Sequence, residues 1–280
     1  MFPSRGRTPI TTETYAFLEQ FIYEATGIAL GQDKEYLLES RLLPLVREER
    51  LASLNDLPGR LRQGAIQDLR RRIAECMTTH ETTFFRDPAV FEMLRAEVLP
   101  ELAHRRESTR ELQIWSAACS SGQEPYSLAM LLFEAGYGSW KLDIFATDLS
   151  SRILARAEAG RFPQLEVNRG MPAHLLAKYF RREGLDWQIR EEIRRSVRFR
   201  VFDLRQSMAG LGPFDLVLCR NVLIYFDLPT REKILAQIHR ALRPGGYLVL
   251  GASETTFYFK VDFERRTMQH AVAYRKAVTP

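Results

Sequence analysis

The sequence predicts an α/β protein in which a mostly parallel sheet, covered by helices on both faces, follows a small all-helical domain. Three observations carry that prediction. From Val90 onward, short apolar runs of strand character alternate with helical segments, the pattern of a parallel sheet built from strand–helix units. The run Ile114-Trp-Ser-Ala-Ala-Cys-Ser-Ser-Gly-Gln-Glu-Pro-Tyr-Ser-Leu-Ala129 begins apolar, breaks into small residues around Gly122 and restarts as a helix. Pro125 suits that first helical turn, where its missing N–H costs nothing. From Thr11 to about Arg72, by contrast, only helical periodicity is present.

Within that first region, Thr12 to Ile22 spaces its apolar residues at three and four, and Gly27 and Gly31 punctuate the turn that follows. Glu35 to Val46 resumes a helical pattern in which Pro44 should kink or shift the helix. Asn55–Arg62 and Asp68–Ala74 predict two more short helices. Arg41, Arg47 and Arg50 fall on one helical segment, with Arg60, Arg62, Arg70, Arg71 and Arg72 beyond it. Such a cluster is either a solvated face or a docking face for an acidic helical partner.

Cys76 to Pro88 is a poor helix and a poor strand, with four threonines, two adjacent phenylalanines, an arginine and Asp-Pro. Phe84 and Phe85 imply a packed strap in which the hydroxyls and Arg86 face the cradle at Gly122. The expected boundaries are therefore 1–77 for the helical domain, 78–88 for the strap and 89–280 for the α/β domain.

In the α/β domain, Ala89–Arg105 reads as helix, Leu112–Ala117 as strand, and the cradle leads into a helix reaching Gly136. Leu142–Asp148 is a second strand, ending in an acid before a Ser150–Glu158 helix. A helix near Pro172–Arg182, strands at Trp187–Arg190 and Val197–Phe202, a strand at Phe214–Cys219 and a helix at Thr230–Leu242 follow. Arg243-Pro-Gly-Gly246 connects to a strand at Tyr247–Ala252, and a last strand lies near Ala271–Tyr274.

Composition removes several function classes. The 280 residues, 45% hydrophobic and 27% charged, describe an ordinary globular chain. No apolar run nears the roughly 20 residues that span a bilayer, and Met1–Arg7 lacks the apolar core of a signal peptide. The three scattered cysteines, Cys76, Cys119 and Cys219, offer no CxxC pair, which argues for a reducing cytoplasm and against a disulfide framework or a zinc site. A net charge of +5, carried mainly by arginine, allows an acidic partner without requiring nucleic acid.

The Gly122 turn, Asp148 and Arg220-Asn221 all fall at the carboxyl ends of predicted strands, where open α/β sheets bind ligands. An acid ending the second strand can accept hydrogen bonds from both hydroxyls of a ribose. Neither GxGxxG nor GxxxxGK[ST] occurs, and the turn carries Gln123 and Glu124 where a phosphate site would favour a cation. Glu124 suits the ammonium of an amino acid, or serves merely as an N-terminal helix acid. Ribose, amino acid and adenine together describe S-adenosylmethionine.

Residues 114–129, the Thr79–Arg86 strap, Phe145–Asp148, Cys219-Arg-Asn-Val-Leu-Ile-Tyr-Phe226 and Leu250-Gly-Ala-Ser-Glu254 together resemble the chemotaxis receptor glutamate methyltransferases, CheR. The resemblance covers nearly the whole chain. It implies a class-I methyltransferase fold with a Rossmann-like sheet, an antiparallel β-subdomain at about 180–200, and an N-terminal receptor-docking domain. It also implies methyl transfer from S-adenosylmethionine to glutamates on the cytoplasmic helical bundle of chemoreceptors, with S-adenosylhomocysteine as product and no metal. A cytoplasmic monomer recruited to membrane-bound receptor arrays is expected, with neither nucleic acid nor membrane insertion involved.

Carried over by motif, His80, Thr82 and Arg86 contact the cofactor from the strap, Glu124 takes the methionyl ammonium and Asp148 the ribose. Asp203 and Leu204 border the adenine, and Arg220 and Asn221 line the methionyl end. Arg86 and Tyr225 orient the incoming carboxylate, while Cys219 borders the cofactor without taking part. Arg41, Arg47 and Arg50 are the expected receptor-docking residues. A glutamate is already ionised at neutral pH, so the absence of a Ser/His/Asp or Cys/His set fits the reaction. Gln123 stands where the family often has an acid, and His80 where relatives often have asparagine. The Phe180–Ile189 connection is shorter than a glycine-containing loop with which some relatives grip a receptor's C-terminal pentapeptide, so tight pentapeptide binding is not expected. Another class-I methyltransferase, or a non-catalytic cofactor sensor, are the competing readings. The first lacks an Asn-Pro-Pro-Tyr or Pro-Cys signature, and the second would not need the complete residue set.

Overall fold

The computed structural model describes residues 8–31, 34–62, 66–257, 259–268 and 271–278. Met1–Arg7, the stretch without a signal-peptide core, lies outside the described residues. The chain forms two compact units: residues 1–79 with Tyr225–Asp227, and residues 80–224 with 228–280.

In the first unit, α1 (Thr12–Thr26) starts at Thr11, whose hydroxyl accepts the Thr14 N–H at 3.2 Å, as an N-cap should. The predicted disturbance at Pro44 leaves α2 (Glu35–Glu48) running through it. A 3-10 turn, Leu54–Asp56, carries a Ser53–Asp56 capping box and leads into α3 (Leu57–Arg62) and α4 (Ile66–Met77). Leu18, Ile22, Leu38, Leu42, Leu57 and Ile73 are wholly buried where these helices meet. No strand occurs among the described residues of this unit. Cys76 and Met77, at the head of the stretch that reads as a poor helix, belong to α4.

The arginines of this unit differ from expectation in their roles. Arg41 turns inward, donating to the Met77 carbonyl and, at 2.8 Å, to Thr79 Oγ1, so it closes the C-terminus of α4 rather than presenting a free charge. Arg50 lies in the turn beyond α2, at φ 56°, and not on the helix. Arg47 and Arg50 are exposed. Arg71 pairs with Asp68 and Glu75, and Arg72 with Glu48 and Glu49.

The second unit opens with one helical run, α5 (Pro88–Met93), a π turn (Leu94–Val98) and α6 (Leu99–Arg105). Then follow β1 (Glu111–Ala117), α7 (Gln123–Glu134), β2 (Lys141–Asp148), α8 (Ser151–Ala159), β3 (Arg161–Pro163), α9 (Gln164–Val167) and α10 (Ala173–Tyr179). The chain continues through β4 (Phe180–Glu183), β5 (Asp186–Ile189), α11 (Glu191–Arg194), β6 (Val197–Val201), β7 (Phe214–Cys219), α12 (Leu228–Ala241), β8 (Leu242–Leu250), β9 (Phe263–Met268) and β10 (Ala271–Lys276). The main sheet runs β6-β2-β1-β7-β8-β10-β9, parallel except for β10 and β9. Every residue of β7 is buried, Asp215 included, and Leu216–Cys219 is an unbroken apolar run.

The second sheet runs β3-β5-β4 and is antiparallel. Its span corrects the expected 180–200 boundary twice. The Arg161–Pro163 strand was not foreseen, and Val197–Val201 pairs with β2 in the main sheet. The helix expected to reach Arg182 stops at Tyr179, because Phe180 is already extended and buries its ring in the core. Arg243-Pro-Gly-Gly246, expected as a connection, is taken into β8, with a register irregularity opposite Phe214–Leu216.

Candidate functional site

The chain reverses its direction of travel across the main sheet between β1 and β7. The sequence passes from β1 outward to β2 and β6, then returns to the other side of β1 as β7. The carboxyl ends of β1, β2 and β7 therefore meet at a topological switch point, where such sheets bind ligands. Ala117, Asp148 and Cys219 end these strands.

The turn after β1 is left-handed at Ala118 (φ 60°), Ser120 (φ 51°) and Gly122 (φ 92°). Each non-glycine residue held there costs on the order of 1–3 kcal/mol and persists only if its surroundings enforce it. Two bonds do so: Cys119 N–H donates to Thr147 O at 2.8 Å, and Ser120 N–H to Asp148 Oδ2 at 2.9 Å. Gly122 caps α7, and a Cβ there would lie 3.0 Å from Ala157 Cβ and 3.1 Å from Tyr126 Cε2. Glycine thus satisfies the dihedral angle and lets α7 and α8 approach.

Asp148 accepts a second backbone bond at Oδ1, from Ser150 N–H at 3.0 Å. Burial pushes its carboxyl above the usual aspartate value. The Ser150 N–H, the charge of His80 and the Ser120 N–H oppose that shift. The Leu149 N–H opposes it as well, and an ionised carboxylate offers about four acceptor sites in all.

Glu124, in the first turn of α7, accepts from Ser116 Oγ at 2.7 Å and from Arg220 Nη1 at 3.0 Å. Glu124 is therefore not the unmatched acid that its place in the turn suggests, because Arg220 is its counter-charge. Arg220 is 1% exposed in its side chain and also donates from Nη2 to Arg86 O at 2.9 Å and Asp87 Oδ2 at 2.6 Å. It therefore clasps the strap to the cradle. Its Nε is buried and has no protein acceptor.

The strap is packed, as its phenylalanines imply. Phe84 is fully buried, edge-on to Phe162 at 4.9 Å and Phe180 at 5.7 Å. Phe85 lies 5.1 Å from Phe91, and its N–H donates to Ser127 Oγ at 2.9 Å. His80 O accepts from Ser120 Oγ at 3.1 Å, so strap and cradle touch directly. His80, Thr82 and Arg86 are half-buried, and Arg86 Nη1 donates to Glu81 O at 3.0 Å. Asp203 commits its carboxylate to Arg205, with contacts of 2.7 to 3.1 Å, and Leu204 is buried beside it. Asn221 is left-handed at φ 58°.

Tyr225 groups with the first unit. Its carbonyl accepts from Ala29 N–H at 3.0 Å, and two residues on, Asp227 Oδ2 accepts from Tyr23 Oη at 2.5 Å. His80, Thr82, Arg86, Glu124, Asp148, Asp203, Leu204, Arg220 and Asn221 all lie in the second unit. Burial pushes the Cys119 and Cys219 thiols well up, with nearby carboxylates adding to the effect, so neither offers a thiolate.

Sequence reasoning did not find two features. Gln123, 2% exposed, donates to Glu166 Oε2 at 3.0 Å and accepts from Ser121 Oγ at 2.7 Å, and Glu166 in turn pairs with Arg156. An acid at 123 would face Glu166, so the amide is the compatible side chain here. The other is Glu254, whose carboxylate receives four backbone N–H groups. Its place in the Leu250–Glu254 motif was the only signal of it.

Residues 80–272 match the model of the CheR methyltransferase, SAM binding domain, and residues 13–78 that of the CheR methyltransferase, all-alpha domain. The chain belongs to the CheR methyltransferase family. Chemotaxis protein methyltransferase 1 of Pseudomonas aeruginosa is 46% identical over 261 residues, covering 91% of this chain and 94% of the relative. Chemotaxis protein methyltransferase Cher2 of Pseudomonas putida is 44% identical over 240 residues, covering 84% and 87%. The chemotaxis protein methyltransferase of Vibrio parahaemolyticus is 39% identical over 271 residues, covering 95% and 98%. As a CheR methyltransferase, this chain uses S-adenosylmethionine as methyl donor. No helix among the described residues is long and apolar enough to cross a membrane.

Proposed function

We propose that this CheR methyltransferase esterifies glutamate side chains on the cytoplasmic helical bundle of chemoreceptors, leaving glutamyl methyl esters. The observation that carries this reading is the donor set at the switch point. Asp148 and Glu124 are both held in place and both retain acceptor capacity, and the buried Arg220 Nε lacks an acceptor. That set fits S-adenosylmethionine: Asp148 for the ribose hydroxyls, Glu124 for the ammonium and Arg220 with Asn221 for the methionyl end. His80, Thr82, Asp203 and Leu204 complete the enclosure.

When bound, S-adenosylmethionine supplies a methyl group on a sulfonium; a carboxylate oxygen forms the new O–CH3 bond while the C–S pair returns to sulfur. The chain supplies positioning and dryness, since a glutamate needs no base at neutral pH. Arg86 orients the incoming carboxylate and Tyr225 hydrogen-bonds it. Arg86→Ala and Tyr225→Phe should each lower turnover; wild-type turnover in both would overturn this assignment.

The helical unit docks the receptor through Arg47 on α2 and Arg50 in the turn after it, with Arg41 holding α2 to the end of α4. The enzyme works as a monomer recruited to receptor arrays. The hairpin of β4 and β5 is short, with Gly184 and Leu185 between its strands, and supports pentapeptide-independent action. A micromolar or tighter calorimetric dissociation constant for a receptor C-terminal pentapeptide would contradict that last point.

A further inference from the structure

Of the sequence motifs at the switch point, Leu250-Gly-Ala-Ser-Glu254 alone has no part in the transfer. Its glutamate nonetheless receives four backbone N–H groups. Glu254 Oε2 accepts the N–H groups of Asn221 and Gly251, each at 2.7 Å. Oε1 accepts those of Val222 at 3.0 Å and Ile224 at 3.3 Å. The loop after β8 is thereby tied to the loop after β7. Glu254 N–H donates back to Gly251 O at 2.9 Å, closing its own turn.

Gly251 makes the approach possible. A Cβ there would lie 2.7 Å from Asn221 Nδ2, 2.7 Å from Glu254 Oε2 and 2.8 Å from Asn221 N. The tied loop begins at Arg220, which clasps Glu124 and Asp87, and holds Asn221 in its left-handed conformation.

We propose that Glu254 is a positioning residue for the methyl donor. Its carboxylate sets the Arg220–Ile224 turn so that Asn221 and Arg220 serve the methionyl end of the site. The inference rests on the reading of Asn221 and Arg220 given under Proposed function. A carboxylate is required, because only an acceptor-only group with two oxygens satisfies donors on both sides. A glutamine of the same shape offers one oxygen and turns an NH2 toward two N–H donors.

The test is calorimetric binding of S-adenosylhomocysteine to the full chain, with folding checked by near- and far-UV circular dichroism. Glu254→Gln should weaken binding about tenfold or more while the spectra match wild type, since charge-assisted bonds are lost and amides left unpaired. Glu254→Asp, with both oxygens on a shorter arm, should fall between. A purely structural role would lower the melting temperature and leave the affinity of the folded protein unchanged. Gly251→Ala disturbs the same contact from the start of Glu254's own loop and should weaken binding likewise, giving a second route if Glu254→Gln does not fold. Wild-type binding with both variants within about twofold of it overturns the role of Glu254. A wild-type chain that fails to bind S-adenosylhomocysteine overturns the cofactor reading beneath it.

Discussion

Replacing Arg220 with methionine removes the clasp between strap and cradle while keeping a long side chain in place. Arg220 is 1% exposed, Glu124 12% and Asp87 41% in their side chains. Removing one partner of a buried pair costs about 3–5 kcal/mol, mostly for the charge left behind. Asp87 can rehydrate, and its share is that of a surface pair, about 0–1 kcal/mol. Glu124 cannot rehydrate as readily and keeps only Ser116 Oγ, so a loss of about 3 kcal/mol is expected. For a unit of this size that is a fall of about 6–12 °C in melting temperature, read by near-UV circular dichroism. Adding Glu124→Gln removes the orphaned charge, so the double variant should be more stable than Arg220→Met alone. A fall below about 2 °C, or a double variant showing the sum of both losses, would refute the claim that charge pairing holds the strap.

Phe84→Ala empties a site with no solvent exposure and should cost about 3–5 kcal/mol in urea unfolding; a loss below about 1 kcal/mol would mean that the strap is not anchored there. Asp148 accepts from hydroxyls most strongly when ionised, and burial raises its carboxyl above the ordinary 3.8. S-adenosylhomocysteine affinity should therefore begin to fall, as pH is lowered, at a higher pH than an ordinary aspartate would give. Asp148→Asn should bind weakly with that step gone; an unchanged step would exclude Asp148. The same shift means that the folded chain holds this proton more tightly than the unfolded one. Asp148's contribution to stability therefore declines as pH rises from about 3.8 through its raised value. Charge reversal at both Arg47 and Arg50 should abolish receptor methylation at unchanged S-adenosylhomocysteine affinity, and unchanged methylation would contradict the docking assignment.

What was legible in the sequence was whatever one periodicity or one turn encodes. β1, β2 and β7 were readable because each carries a buried apolar stretch, Ile114-Trp115, Ile144–Ala146 and Leu216–Cys219, and the Gly122 turn because small residues suit that path. β3 and β9 were not. Arg161–Pro163 is three residues long, and β9 exposes Glu264, Arg265 and Thr267, so neither carries an apolar signature. The site was legible as a set of positions and opaque as a set of partners. Nothing in the spacing tells that Glu124 meets Arg220, residues 96 apart, or that Arg41 closes α4. Such pairings are products of the tertiary fold, and they changed the charge logic of the cradle from a lone acid to a matched pair with one N–H to spare.

Labelled methyl transfer tests the account most directly. Receptor-containing membranes are incubated with the full chain and S-adenosylmethionine carrying a labelled methyl group, and the receptor is then treated with base. The account predicts label on receptor glutamates that base releases as methanol, with transfer lost in Asp148→Ala. Confirmed cofactor binding with no label on the receptor, or label that survives base, would contradict it.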